Sequence, residues 1–203
     1  MNELQIRVYS IDGATRTIAQ NGPERANQTL HELNPTTLFG PDKITVMDDE
    51  TEVAFAPGLV TRVDLISEQL SVWDYPFVLG ALMELTEPEF NQFVQEPQQW
   101  QEAGLPGGTP MFLHLEMADD RHCFLWMKVA AGLPPANGSR LNSVFAERRL
   151  IFDLRTGGIG ILNLAHLLRF SIYPELSTTA AASGEAVRPI ERPKLRLAAR
   201  GIH

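Results

Sequence analysis

The chain has 203 residues and a formal net charge of -8, with 44 % hydrophobic and 21 % charged residues. That is the composition of an ordinary globular protein, long enough to bury a core without covalent staples. Its single cysteine, Cys123, excludes an intrachain disulfide and any zinc site built on several thiolates.

The first element is IRVYSIDGATRTIA, residues 6–19, with Asp12-Gly13 between alternating apolar residues. Asp-Gly in that setting marks a tight hairpin. A two-residue turn there pairs Ile11 with Ala14 and Val8 with Thr17. Ile6 and Val8 then share a face with Thr17 and Ala19. Residues 24–33 follow as a short helix, with Pro23 near its start and Pro35 beyond its end. KITVMDDETEVAFA, residues 43–56, is a second hairpin turning at Asp49-Glu50. It collects Ile44, Val46, Val53 and Phe55 on one face. LVTRVDLI, after Pro57-Gly58, is a further strand.

Thr86-Glu87-Pro88-Glu89 has the form of a capping box and predicts a helix through Phe90, Phe93 and Val94. QQWQEA adds a turn or two of helix, and LPGGTP is a connector. MFLHLEMADDRHCFLW, residues 111–126, is a third hairpin turning at Asp119-Asp120. One of its faces holds Leu113, Leu115, Met117, Phe124 and Trp126. AAGLPPANGSRLN is rich in turn residues. RRLIFDLRTGGIGI, residues 148–161, is a glycine-turn hairpin, and LNLAHLLRFSIY fits helix and strand alike. Beyond Tyr173 the chain reads as a linker, with PKLRLAA alternating as a last edge strand.

The expected fold is α+β and rich in antiparallel β-hairpins, with a few short helices. The expected division is a hairpin-rich half over 1–66, a connector with short helices over 67–110, a second hairpin-rich half over 111–176, and a basic low-complexity tail over 177–203. The halves can be laid together as a duplication. IRVYSIDGATRTI matches LHLEMADDRHCFL, KITVMDDETEVAF matches RLIFDLRTGGIGI, and LVTRVDLI matches HLLRFSIY with Arg62 over Arg169, at offsets of about 107 residues throughout. Glu50-Thr51-Glu52 then stands where the second half has Thr156-Gly157-Gly158. The second copy has therefore gained either a tighter turn or a ligand.

The start, MNELQIR, lacks the basic-then-apolar order of a secretory signal. The longest strongly apolar run, Pro76 to Met83, falls far short of the roughly 20 residues that span a bilayer. A cytoplasmic chain without a membrane partner is expected. The acidic body works against nucleic acid, and the basic tail, Arg188 to Arg200, has no aromatic residue to stack on bases. Trp73, Tyr75 and Phe77 are core filling, or a protein-binding patch where exposed.

Walker and dinucleotide-binding fingerprints are absent: Gly157, Gly158 and Gly160 have the wrong spacing. Asp153-Leu-Arg-Thr-Gly-Gly-Ile-Gly resembles the Asp-x-Ser-x-x-Gly element of PilZ domains, β-barrels that bind cyclic di-GMP. Arg155 stands where that family has serine. Its upstream Arg-x-x-x-Arg motif has no counterpart, since Arg148 and Arg149 are adjacent. The resemblance implies a cyclic-dinucleotide sensor with Arg148, Arg149, Asp153 and Gly158 around the ligand. From the residues alone the stretch is a glycine hairpin turn.

His114, Glu116, Asp119, Asp120 and His122 lie within nine positions, a crowd that suits metals. The expected register puts His114 and Glu116 on one face and His122 on the other. Asp119, Asp120 and one histidine then converge at a solvated turn, which leaves a metal-dependent enzyme at that turn as one reading and a polar hairpin tip as the plainer one. A one-residue bulge changes that geometry. Cys123 falls opposite Glu116, a neighbour that raises a thiol's pKa. His31 and His166 lie on apolar stretches. No catalytic set, no metal and no cofactor are therefore expected. The favoured function is a non-enzymatic interaction or regulatory module, taking a protein partner or a second copy through an unpaired sheet edge, with a small-molecule ligand as the alternative.

Overall fold

Strands with one apolar face need a partner layer, and this chain supplies it mainly by extending one sheet. The computed structural model describes residues 3–34, 37–40, 43–48, 51–67, 70, 79–95, 108–130 and 147–173. The described strands are β1 (Glu3–Ser10), β2 (Thr15–Asn21), β3 (Ile44–Asp48), β4 (Thr51–Phe55), β5 (Val60–Ile66), β6 (Leu79–Leu85), β7 (Gly108–Met117), β8 (His122–Ala130), β9 (Arg149–Asp153), β10 (Ile159–Asn163) and β11 (Leu167–Tyr173). The helices are α1 (Pro23–Glu32) and α2 (Glu87–Gln95), and 3-10 turns at Pro57–Leu59 and Leu164–His166 lead into β5 and β11. Nine strands form one sheet in the order β11-β7-β8-β6-β9-β10-β5-β1-β2, and β3 pairs with β4 alone. Pairing is antiparallel apart from a parallel bridge between Met83 and Asp153. The fold is α+β and dominated by strands. No helix among the described residues is long and apolar enough to cross a membrane.

Three hairpins share one loop. Ser10 N donates to Ala14 O (2.9 Å) and Gly13 N to Ser10 O (2.9 Å). Met117 N donates to Arg121 O (2.9 Å) and Asp120 N to Met117 O (3.1 Å). Leu154 N donates to Gly158 O (3.0 Å) and Gly157 N to Leu154 O (3.1 Å). Each loop thus has three residues, and the third is left-handed: Gly13 at φ 82°, Asp120 at 60° and Gly157 at 86°.

This loop corrects two expected registers by one residue. Val8 faces Arg16 and Ile6 faces Ile18, in place of a Val8–Thr17 pair. Glu116 faces His122 and Leu115 faces Cys123, in place of a Glu116–Cys123 pair. A slip of one exchanges the faces of a strand. Ile18 is accordingly buried while Thr17 and Ala19 are exposed. Cys123, Leu125 and Met127 join Leu113 and Leu115, and Phe124 and Trp126 go to the opposite face. The Ile44–Phe55 and Val46–Val53 pairs keep their expected register. RRLIFDLRTGGIGI turns over three residues, Arg155 to Gly157.

Two apolar clusters lie on opposite faces of the sheet's middle. Leu4, Ile6, Val8, Ile18, Val63, Leu65, Ile159 and Ile161 pack with Ala26 of α1 and with Ile44 and Val46. Leu82, Leu113, Leu115, Leu125, Met127, Phe152 and Leu162 make the second cluster. β10 is buried along its whole length because it feeds both. A third cluster seats Phe90, Phe93 and Val94 of α2 on Phe112 and Trp126. The capping box forms: Thr86 N donates to Glu89 Oε2 at 2.9 Å. β6, inside the expected connector, is a strand the sequence reading did not place. The segment QQWQEA, AAGLPPANGSRLN after its first residue (Ala130, the end of β8), the aromatic trio at 73–77 and the basic tail lie outside the described residues.

The glycines of RRLIFDLRTGGIGI serve packing. Gly158 has φ +100°, and a Cβ there would sit 2.1 Å from Leu65 O. A Cβ on Gly160 would sit 2.3 Å from the Phe152 ring. Gly158 therefore lets β10 lie against β5.

Gly158→Ala should cost about 3 kcal/mol through clash plus left-handed strain. Gly13→Ala, which meets nothing within 4 Å at φ +82°, should cost only about 1 to 2 kcal/mol. Chemical denaturation of both variants measures the difference, and equal losses would contradict the close approach. Hydrogen bonds from Thr86, then the nearby Arg155, hold Glu89 below its ordinary 4.5 despite an opposing burial effect. A depressed carboxylate stabilises fully above its unfolded pKa, and the benefit is lost as pH falls through the folded one. The stability gap between wild type and Glu89→Gln should therefore be largest near neutral pH and shrink below 4.5.

Candidate functional site

The corrected register of the β7–β8 hairpin gathers His114, Glu116 and His122 on one face. Residues two apart on a strand share a face, and Glu116 and His122 are direct cross-strand neighbours. One ligand-type atom from each of the three lies within 4.8 Å of the others. His114 Nε2 and His122 Nδ1 are hydrogen-bonded at 2.7 Å. The His114 ring stacks on Phe124, with centroids 4.7 Å apart, and meets Phe90 at 6.0 Å. Arg169 of β11 approaches Glu116 at 3.7 Å. Burial, followed by the neighbouring His122, pushes His114 below its ordinary pKa against the pull of Glu116. The expected placement of His122 on the opposite face is thereby corrected.

Asp119 is not part of this group. Its side chain is 1 % exposed and turned inward. Thr61 Oγ1 donates to its Oδ2 at 2.7 Å, and Arg121 Nε lies 3.5 Å from it. Arg121 in turn covers the Tyr9 ring at 4.4 Å and donates to Gly13 O at 2.7 Å. The Asp119 turn is a clasp onto the first hairpin in place of the solvated tip expected from sequence.

A second polar group joins β1, β5 and β6. Arg62 Nε donates to Asp64 Oδ1 at 2.6 Å, and Arg62 Nη2 reaches Glu84 Oε1 at 2.8 Å. Tyr9 Oη donates to the other Asp64 oxygen at 2.8 Å. The guanidinium carbon lies 5.3 Å from the Tyr9 centroid and 5.0 Å from that of Phe152. The Arg62 side chain is 15 % exposed and that of Asp64 3 %. Burial works against the Arg62 charge, but Asp64 and then Glu84 hold it protonated. The same burial pushes the nearby Cys123 thiol up to about 12, so it is no nucleophile near neutral pH. Sequence reasoning missed this network. Its signal was an arginine and an aspartate two apart within the apolar strand LVTRVDLI.

RRLIFDLRTGGIGI spreads its polar residues along a hairpin. Arg149 pairs with Asn163 at one end, and Asp153 pairs with Ile159 at the other. At about 3.3 Å per residue, Arg149 and Asp153 are about 13 Å apart along β9. Arg148 is exposed beside Arg149, and Gly158 is buried beyond Asp153. Arg155 ion-pairs with Glu89 and so ties this loop to α2. His31 is exposed on the last turn of α1, and His166 lies half-buried on a 3-10 turn. Comparison with protein-family models, with curated proteins and with solved structures finds no match to this chain.

Arg62→Met should cost about 3 to 5 kcal/mol, because it leaves the Asp64 carboxylate buried without its cation. Urea unfolding at neutral pH measures the loss. A change below about 1 kcal/mol would mean that the cluster is no more than a surface ion pair.

Proposed function

We propose that the chain is a non-enzymatic interaction module, built from two like halves, that pairs with a second copy of itself along β11. The observation that carries the reading is the exposed apolar surface of this edge. Leu168 is 63 % exposed and Phe170 40 %. Among the described residues no strand pairs with the outer side of β11, the end of the nine-stranded sheet. Edge strands normally carry charges that discourage pairing, and β11, LLRFSIY, has only Arg169.

The correspondence of the halves supports the same reading. β5 begins at residue 60 and β11 at 167, each after a 3-10 turn. Ile11 N donates to Leu59 O, and Ala118 N donates to His166 O, each at 2.9 Å and each residue 107 further along the chain. β5 lies between β1 and β10, whereas its counterpart β11 has a neighbour, β7, on one side only. An antiparallel pair of β11 strands centred on Phe170 sets Leu168 opposite Ile172 and Arg169 opposite Ser171. No like charges meet, and such a two-fold contact closes on itself. The cyclic-dinucleotide reading needs Arg148, Arg149, Asp153 and Gly158 around one ligand. Their spread along β9 and β10 favours association over it.

Sedimentation over a concentration series tests the proposal. The wild type should shift from monomer to dimer, and Phe170→Glu or Leu168→Glu should hold the monomer with an unchanged melting temperature. A wild type that stays monomeric throughout, or a dimer that survives both substitutions, overturns it.

A further inference from the structure

We propose that His114, Glu116 and His122 bind one divalent transition-metal ion of the zinc kind. The set is built on rigid backbone. Two of its members alternate on β7, and the third faces them from β8, so the ladder itself fixes their spacing. The donor types suit zinc and its neighbours, which accept imidazole nitrogen and carboxylate oxygen together; calcium and magnesium prefer oxygen alone.

The distances fit an ion after a small adjustment. Zinc–nitrogen bonds of about 2.0–2.1 Å in a tetrahedron set two ligand nitrogens about 3.3 Å apart. His114 Nε2 and His122 Nδ1 are now 2.7 Å apart, so a movement of about half an ångström lets the ion replace their hydrogen bond. Glu116 stands within the same 4.8 Å group. Phe124 and Phe90 pack together against the His114 ring, while His122 is exposed and can turn. Three protein ligands at a solvated face leave the fourth position to water or to an incoming group. Arg169, 3.7 Å from Glu116 and 69 % exposed at its side chain, competes for that carboxylate and swings away when the ion enters.

Zinc chloride titrated into the full chain by calorimetry tests this site directly. The expected result is one ion per chain and a higher melting temperature. His122→Ala and Glu116→Gln should each weaken binding by at least about tenfold. Arg169→Ala should bind zinc at least as tightly as the wild type, because it frees Glu116. His31→Ala and His166→Ala should leave binding unchanged. His122 is exposed, so its replacement is expected to preserve the melting temperature without metal; should it not, Glu116→Gln decides the question alone. Absence of zinc binding, or affinity unmoved by both His122→Ala and Glu116→Gln, overturns the proposal. None of these outcomes depends on self-association, which is read separately from sedimentation of the β11 variants.

Discussion

The constraint on which this structure depends is the burial of a guanidinium among β1, β5, β6 and β9. β5 belongs to both cores. Val63 and Leu65 enter the cluster beneath β1, while Arg62 and Asp64 point the other way, toward Glu84 and Phe152. A buried cation must be matched at close range, and the match here comes from three strands at once: Asp64 on β5, Glu84 on β6 and Tyr9, through Asp64, on β1. Apolar residues of equal volume would bury as much surface. They would not demand one alignment of β5 with β1 and of both with β6. We regard the cluster as a device for registry more than for stability.

Registry also decides where chemistry gathers. The same three-residue loop closes the first, third and fourth hairpins, and its left-handed third residue is glycine twice and aspartate once. Asp120 accepts this conformation because a short polar side chain tolerates it. That one position brings His122 beside His114 and Glu116. It also drives Cys123 into the core, where burial disarms the thiol. Strand alternation then separates His122, on the histidine–carboxylate face, from Cys123, on the buried apolar one.

The two ends of the large sheet are treated differently. β2 is guarded by the small β3–β4 sheet: Arg16 pairs with Asp48 at 2.9 Å, and Gln20 donates to the Met47 carbonyl. β11 presents leucine and phenylalanine along its length instead. The hairpin β9–β10 belongs to the large sheet, whereas β3–β4 forms a two-stranded sheet of its own.

Local patterns settled much of this protein within the sequence itself. α1 and its flanking prolines, the capping box at Thr86, the alternation of Ile44, Val46, Val53 and Phe55, and the existence of the hairpins all follow from interactions within a few residues. Loop length did not follow. Asp12-Gly13 and Asp119-Asp120 serve two-residue and three-residue loops equally well, and the choice moves every side chain to the other face. β6 was hidden because an apolar run carries no period until a sheet exists to receive it. The Arg62 cluster and the His114–Glu116–His122 face were decided only by the tertiary structure. Their members lie on strands far apart in sequence or across a hairpin whose register the chain alone leaves open, and only packing both faces of the sheet chooses one.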